Sequence, residues 1–179
     1  NGFGRIGRIT FRSLVKNDDL EVVAINDLAD IKTLAHLLKY DSVHGRFEGS
    51  IAVTDDEIIV NGVSIKVFVE KDPSVLPWGK MDVDTVIEST GIFRDEEGAK
   101  NHLAAGAKKV IISAPPGKGN IKTVVMGIND DILKGDEKIV SNASCTTNCA
   151  APMIKILDEL CGIENGYITT VHSFTGDQR

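Results

Sequence analysis

"NGFGRIGRITFRSLV", Asn1 to Val15, sets glycines at positions 2, 4 and 7 ahead of Ile6, Ile9, Leu14 and Val15 at roughly helical spacing. A G-x-G-x-x-G triplet alone is a weak signal. It gains meaning when a strand leads into it, a helix leads out, and an acidic residue closes a second strand about 20 residues later. The helix pattern is present. The second strand is "EVVAIND", apolar from Val22 to Ile25 and ending in Asn26-Asp27. The leading strand is missing, because the motif begins inside its own turn with no methionine before it. The chain therefore reads as a fragment cut on its N-terminal side.

The residue types fit one chemistry. Gly2 allows a tight turn, Gly4 lets the backbone approach a pyrophosphate, and Gly7 lets the helix pack closely on the sheet. The unpaired N–H groups from about Arg5 to Gly7 offer positive partial charge to phosphates. Asp27 can accept hydrogen bonds from an adenosine ribose, and its charge would repel a 2′-phosphate, which favours NAD over NADP. A helix N-cap is a second, compatible reading of Asp27, since "DLADIKTLAHLLKY" follows it.

The same architecture recurs downstream. "VDTVIESTG" (Val83 to Gly91), "KKVIISAP" (Lys108 to Pro115) and "EKIVSNAS" (Glu137 to Ser144) each run apolar and end in small polar residues. Such runs fit parallel strands buried on both faces. Ligands of open α/β sheets lie beyond the carboxyl ends of the strands. Asn26-Asp27, Ser89-Thr90-Gly91, Ser113-Ala114 and Asn142-Ala143 should then line one edge. Between them, "SIAVTDDEIIVNGVSIKVFVEKDP" alternates around Asn61-Gly62, a two-residue hairpin signal, and reads as an antiparallel insertion remote from the chemistry. The expected fold class is α/β: a doubly wound, Rossmann-type, mostly parallel sheet with its first strand missing, followed by the start of an α+β catalytic domain. The boundary falls at 144/145, giving segments 1–144 and 145–179.

"SNASCTTNC", Ser141 to Cys149, follows the last of these strands. Beyond it, Cys149, Met153, Ile156, Leu157 and Leu160 share one face of a helix. Cys145 then lies in the first turn, with Ser144 as N-cap, where the helix dipole favours a thiolate. Cys149 falls one turn deeper and is expected to be a small buried hydrophobe. A C-x3-C pair with only Cys161 left over lacks the four ligands of a structural zinc site, although His172 could in principle contribute one. A disulfide between i and i+4 of a helix is geometrically poor. The expectation is one reactive thiol, one bystander and no metal. Its candidate base is His172, which ends a strand-like run from Tyr167 to Val171; His36, His44 and His102 read as structural or exposed.

Composition bounds the rest. The chain has 179 residues, 42% of them hydrophobic, and a net charge of −6 with no basic stripe, so nucleic acid is not expected as the main partner. No apolar run approaches the ~18 residues of a membrane helix. Three cysteines without a secretory signal suit a reducing, cytoplasmic setting.

"NGFGRIGR", "LLKYDSVHGRF", "ESTGIF", "SNASCTTNC" and "TVHSFTGDQ", in this order, resemble the phosphorylating glyceraldehyde-3-phosphate dehydrogenases over essentially the whole chain. The resemblance implies Cys145 as nucleophile and His172 as base. It places Asn1, Gly2, Gly4, Arg5, Ile6 and Asp27 on the pyrophosphate and ribose of NAD. Thr90, Gly91 and Phe93 surround the adenine side, and Ser113 lies near the nicotinamide half. Ser144, Thr146 and Thr175 would hold phosphate groups of glyceraldehyde 3-phosphate or inorganic phosphate. It further implies a homotetramer in glycolysis or gluconeogenesis, and a fragment inactive in isolation. Alternatives are a sister enzyme acting on erythrose 4-phosphate, against which "SFTGDQ" inclines, and a non-enzymatic RNA- or protein-binding role.

Overall fold

The computed structural model describes residues 1–175; positions 176–179 of the expected second segment lie outside the described residues. Among the described residues, eight strands form two four-stranded sheets, ordered β1-β4-β3-β2 and β5-β6-β8-β7. In the first, β1 (Ala24–Asn26) pairs in parallel with β4 (Val63–Phe68), which continues antiparallel into β3 (Glu57–Val60) and β2 (Ile51–Val53). In the second, β5 (Thr85–Glu88), β6 (Lys109–Ile112), β8 (Ile139–Ser141) and the short β7 (Lys122–Thr123) are all parallel. The three apolar runs of the sequence are β5, β6 and β8, and the α/β Rossmann-type reading holds.

The open edges of β1 and β5 face each other across a cavity of about 720 Å³ lined by Phe11, Leu14, Val23, Ile25, Val86 and Ile87. Asn1 and Gly2 close it at the carboxyl ends of the strands. The Asn1 amino group donates to Ile87 O at 3.0 Å, Ser89 N–H donates to Asn1 O at 2.8 Å, and Gly2 N–H donates to Asn26 O at 2.8 Å. One residue bonded to both neighbours of Glu88 is a parallel rung, so Asn1 enters α1 (Arg5–Leu14) from strand geometry.

Helices cover the sheets where the periodicity dictates. Asp30 caps α2 (Ile31–Lys39) by accepting Thr33 N–H at 3.0 Å, and Leu34 and Leu38 are buried with Phe3, Phe11, Ile58 and Ile65. Burial of each such side chain stabilises the fold by about 1.5–3 kcal/mol. Asp95 caps α3 (Glu96–Ala104), which lays Ala99 and His102 into the interior. Asn61 and Gly62, with φ of 52° and 85°, form the hairpin turn between β3 and β4.

Four expectations are corrected. The antiparallel segment is not remote: β4 is the parallel neighbour of β1, and Asp27 N–H donates to Phe68 O at 3.1 Å. Asp27 is not a helix cap, a role taken by Asp30, three residues nearer the helix. No strand forms over 167–171, where Tyr167 and Val171 are fully exposed without a strand beside them to pair with. Cys149 is exposed rather than buried: α4 (Cys145–Cys161) carries no buried residue, and Met153, Ile156, Leu157 and Leu160 are half or more exposed. The helical face is amphipathic as the sequence indicates, but no described residue buries it.

Candidate active site

The turn from β8 into α4 builds the thiol. Ser141, fully buried at the end of β8, donates its hydroxyl to Ala114 O at 2.7 Å and accepts Ala143 N–H at 3.1 Å. These bonds tie the end of β8 to the segment after β6. They also hold Ala143 at φ 60°, a left-handed conformation that costs a non-glycine residue about 1 kcal/mol or more. The sharp turn sends the chain into α4. Ser144 caps it, accepting Thr147 N–H at 2.9 Å and sharing a 2.7 Å hydroxyl contact with Thr147. Asn148 braces the turn from one helical turn away, donating to Asn142 O and Ser144 O at 2.7 and 3.0 Å.

Cys145 is thereby the first residue of α4, exposed, with Sγ 3.0 Å from Nε2 of His172. The other ring nitrogen of His172, Nδ1, donates to Ser173 O at 2.6 Å, which leaves the Nε2 lone pair facing the sulfur. The hydrogen bond to His172 is the main cause that lowers the Cys145 pKa; the backbone N–H and hydroxyl of Thr146 act in the same direction against partial burial. The His172 pKa is raised, first by the bond to Ser173 and then by Cys145. Both shifts favour a thiolate–imidazolium pair. The expected strand under His172 is absent, yet the two side chains meet.

At the other edge, the helix α1 begins at Arg5 with Gly4 as N-cap and no side-chain cap, so its first-turn N–H groups face outward. The three glycines divide their work. A Cβ on Gly2, whose φ is +83°, would lie 2.7 Å from the Ser89 and Thr90 backbone, and one on Gly7 would lie 2.1 Å from Gly2 O. A Cβ on Gly4 would meet nothing within 4 Å. Gly2 and Gly7 are thus needed by the packing of the protein, while Gly4 keeps open the surface over the helix start. Arg5 and Ile6 are exposed beside it. Asp27 accepts Phe3 N–H at 2.6 Å and Ala29 N–H at 3.0 Å, one on each oxygen, and each oxygen retains a further lone pair. An open helix N-terminus with a carboxylate at the end of the adjacent strand fits a dinucleotide.

The remaining expected residues line the same edge less directly. Thr90 turns inward, its N–H donating to Glu88 Oε1 at 2.7 Å and its hydroxyl to the same oxygen. Gly91 is exposed at φ +74°. Phe93 meets the His102 ring edge-on at 6.5 Å. Ser113 stands at the end of β6, with its N–H on Glu88 O. The Asn1 side chain points into the fold, between Asn26 and Glu88. Ser144 and Thr146 flank Cys145, and Thr175 is partly buried.

Sequence reasoning missed Ser141, Asn148, Glu88 and the burial of His102. The available signals were an acid ending an apolar strand ("TVIE") and a histidine three residues after Ala99 on the inner face of α3.

Comparison with known proteins places these features. Residues 1–96 match the family model described as "Glyceraldehyde 3-phosphate dehydrogenase, NAD binding domain", and residues 144–179 match "Glyceraldehyde 3-phosphate dehydrogenase, C-terminal domain". The glyceraldehyde-3-phosphate dehydrogenase of Thermotoga maritima is 61% identical over 181 residues, covering 100% of this chain and 54% of that protein. The enzyme of the same name from Geobacillus stearothermophilus is 58% identical over 182 residues, covering 100% of this chain and 53% of its own. That of Clostridium acetobutylicum is 55% identical over 178 residues, covering 99% and 53%. The chain therefore spans about half the length of the curated relatives it matches. With the two family models covering the glycine edge and the Cys145 turn, the chain belongs to the glyceraldehyde-3-phosphate dehydrogenase family.

Proposed function

We propose that this chain contributes the NAD site and the nucleophile of an enzyme that converts glyceraldehyde 3-phosphate and inorganic phosphate to 1,3-bisphosphoglycerate. The observation that carries the reading is the 3.0 Å contact between Cys145 Sγ and His172 Nε2 at the start of a capped helix, in a chain that also presents an open dinucleotide edge. Residues 1–144 form the cofactor domain and residues from 145 onward begin the catalytic domain. Arg5, Ile6, Gly2, Gly4 and Asp27 hold the pyrophosphate and ribose, Thr90, Gly91 and Phe93 the adenine side, and Ser113 the nicotinamide half. NAD+, when bound, supplies the hydride acceptor.

The chain's own groups do the rest. The Cys145 thiolate adds to the aldehyde carbon while His172 gives its proton to the carbonyl oxygen, forming a hemithioacetal on the sulfur. As that carbon is oxidised, His172 Nε2 takes the hydroxyl proton back, leaving a thioester. Inorganic phosphate then displaces the thiolate and carries off the acyl group. Ser144, Thr146 and Thr175 receive the phosphate groups, and the N–H groups at the start of α4 favour their charge. The curated relatives carry the name of the triose enzyme, which supports this substrate over erythrose 4-phosphate. A homotetramer in the cytoplasm, acting in glycolysis or gluconeogenesis, completes the reading; no helix among the described residues is long and apolar enough to cross a membrane.

The test follows reduced NAD by absorbance in the whole protein carrying this sequence, with triose or tetrose phosphate, with and without inorganic phosphate. Phosphate-dependent turnover on the triose, abolished in Cys145→Ser and kept in Cys149→Ser, is expected. Absence of hydride transfer with either sugar overturns the reading.

A further inference from the structure

A buried polar cluster lies behind the proposed adenine edge. Glu88, His102 and Trp78 are 1%, 0% and 3% exposed. Trp78 Nε1–H donates to His102 Nδ1 at 3.0 Å. Indole nitrogen can only donate, so Nδ1 is the acceptor, and the ring proton sits on Nε2. Nε2–H then donates to Glu88 Oε2 at 2.9 Å. The same oxygen accepts Asn1 Nδ2–H at 2.6 Å, and Asn1 Oδ1 accepts from Asn26 at 2.6 Å. Asn26 in turn bonds both the N–H and the carbonyl of Glu70, at 2.8 and 2.9 Å.

The other oxygen of Glu88 faces the loop. It accepts the N–H of Thr90 at 2.7 Å and the Thr90 hydroxyl, and Thr90 Oγ1 accepts Ile92 N–H at 3.0 Å. Four donors converge on one carboxylate and leave no room for a proton. Burial pushes the Glu88 pKa up, but the bonds from His102, Asn1 and Thr90 together outweigh it and hold the group below its usual range. A fully satisfied network of this kind, with Glu88, His102 and Trp78 buried, fixes one conformation, and loss of one member leaves the others unpaired.

We propose that Glu88 and His102 are positioning residues for the cofactor site: Trp78 sets the His102 tautomer, His102 orients Glu88, and Glu88 holds the Thr90–Gly91 loop and Asn1 in their binding conformation. The role rests on the reading of Thr90 and Gly91 as the adenine edge. Neither Glu88 nor His102 touches cofactor or substrate; they act through Thr90 and Asn1.

The test separates position from mere stability. In Glu88→Gln, one face of the side chain must present an amide N–H₂, either to His102 and Asn1 or to Thr90, all of which are donors there. The expected result in the whole protein is a KM for NAD+ raised about tenfold or more with kcat within about twofold. His102→Gln keeps an acceptor and a donor on one carbon, as the imidazole does on Cε1, and should stay within about threefold of the unsubstituted KM. His102→Phe should behave as Glu88→Gln. An unchanged KM in both Glu88→Gln and His102→Phe overturns the proposal, as does a loss confined to kcat. Should Glu88→Gln not fold, the two His102 variants make the same comparison.

A second measurement needs no cofactor. Exchange of the Thr90 amide proton should be slow in the unsubstituted protein and at least tenfold faster in His102→Phe than in His102→Gln; equal rates in the two variants overturn the proposal. If the unsubstituted protein takes up no NAD+, the functional reading fails while this amide comparison still decides the role of the pair.

Discussion

Nε2 of His172 stands 3.0 Å from Sγ of Cys145 although the two residues share no sheet, helix or buried contact surface. The pair is held by its ends: Cys145 by the rigid β8–α4 turn, and the imidazole by the carbonyl of Ser173 through Nδ1. Its consequence is electrostatic. The thiol pKa is lowered chiefly by His172, and the imidazole pKa is raised by Ser173 and Cys145.

Lowering the thiol pKa and raising the imidazole pKa both shift the pair toward the thiolate–imidazolium form. Alkylation of Cys145 by iodoacetamide should therefore begin to rise below the ordinary thiol range of about 8–9. His172→Asn removes the largest cause, so the rise should move up toward that range and the rate at pH 7 should fall about tenfold or more. Mass spectrometry of the labelled peptide, recorded against pH, checks this; a superimposable profile in His172→Asn would mean the pair has no influence on the thiol.

The glycines make a prediction in opposite directions. Gly7→Ala drives a methyl group to 2.1 Å from the Gly2 carbonyl, backbone against backbone, and should destabilise the fold by about 3 kcal/mol or more. Gly4→Ala meets nothing within 4 Å at a φ of −69°, and should unfold within about 1 kcal/mol of the unsubstituted protein. Its effect should instead fall on NAD+ affinity, lowered about tenfold where the added methyl stands over the open helix start. Urea titration and isothermal calorimetry on the two variants separate the roles. If Gly4→Ala binds NAD+ normally, the pyrophosphate does not approach there.

Much of this could be read before any coordinates. The glycine spacing, the three apolar runs and Asn61-Gly62 are local signals, and each corresponds to the element it implied, because turn geometry and strand burial are decided by a few adjacent residues. The helical face from Cys149 to Leu160 was also visible, but burial depends on what lies opposite, which periodicity cannot report. The His102–Glu88–Trp78 cluster was hidden for a related reason. Its members lie 14 and 24 residues apart on different elements, and a polar residue on an apolar face looks the same whether it is exposed or satisfied. Cys145 and His172 were each legible as candidates; their contact was not, since it depends on an irregular segment that has no period of its own.

The last prediction concerns Ser141, which no motif singled out. Its hydroxyl both donates to Ala114 O and accepts Ala143 N–H, in a position with no exposed surface. Ser141→Ala leaves a buried carbonyl and a buried N–H without their partner, at a cost of about 1–3 kcal/mol each if neither finds another. It also releases Ala143 from the left-handed conformation that directs the chain into α4. Two effects should appear together: a urea midpoint lowered by an amount equivalent to about 2 kcal/mol, and slower alkylation of Cys145 at pH 7, because the thiol is no longer fixed against His172. A Cys145 that alkylates at the unsubstituted rate in a destabilised Ser141→Ala protein would show that the turn contributes stability only, and that the helix start and His172 align the sulfur without it.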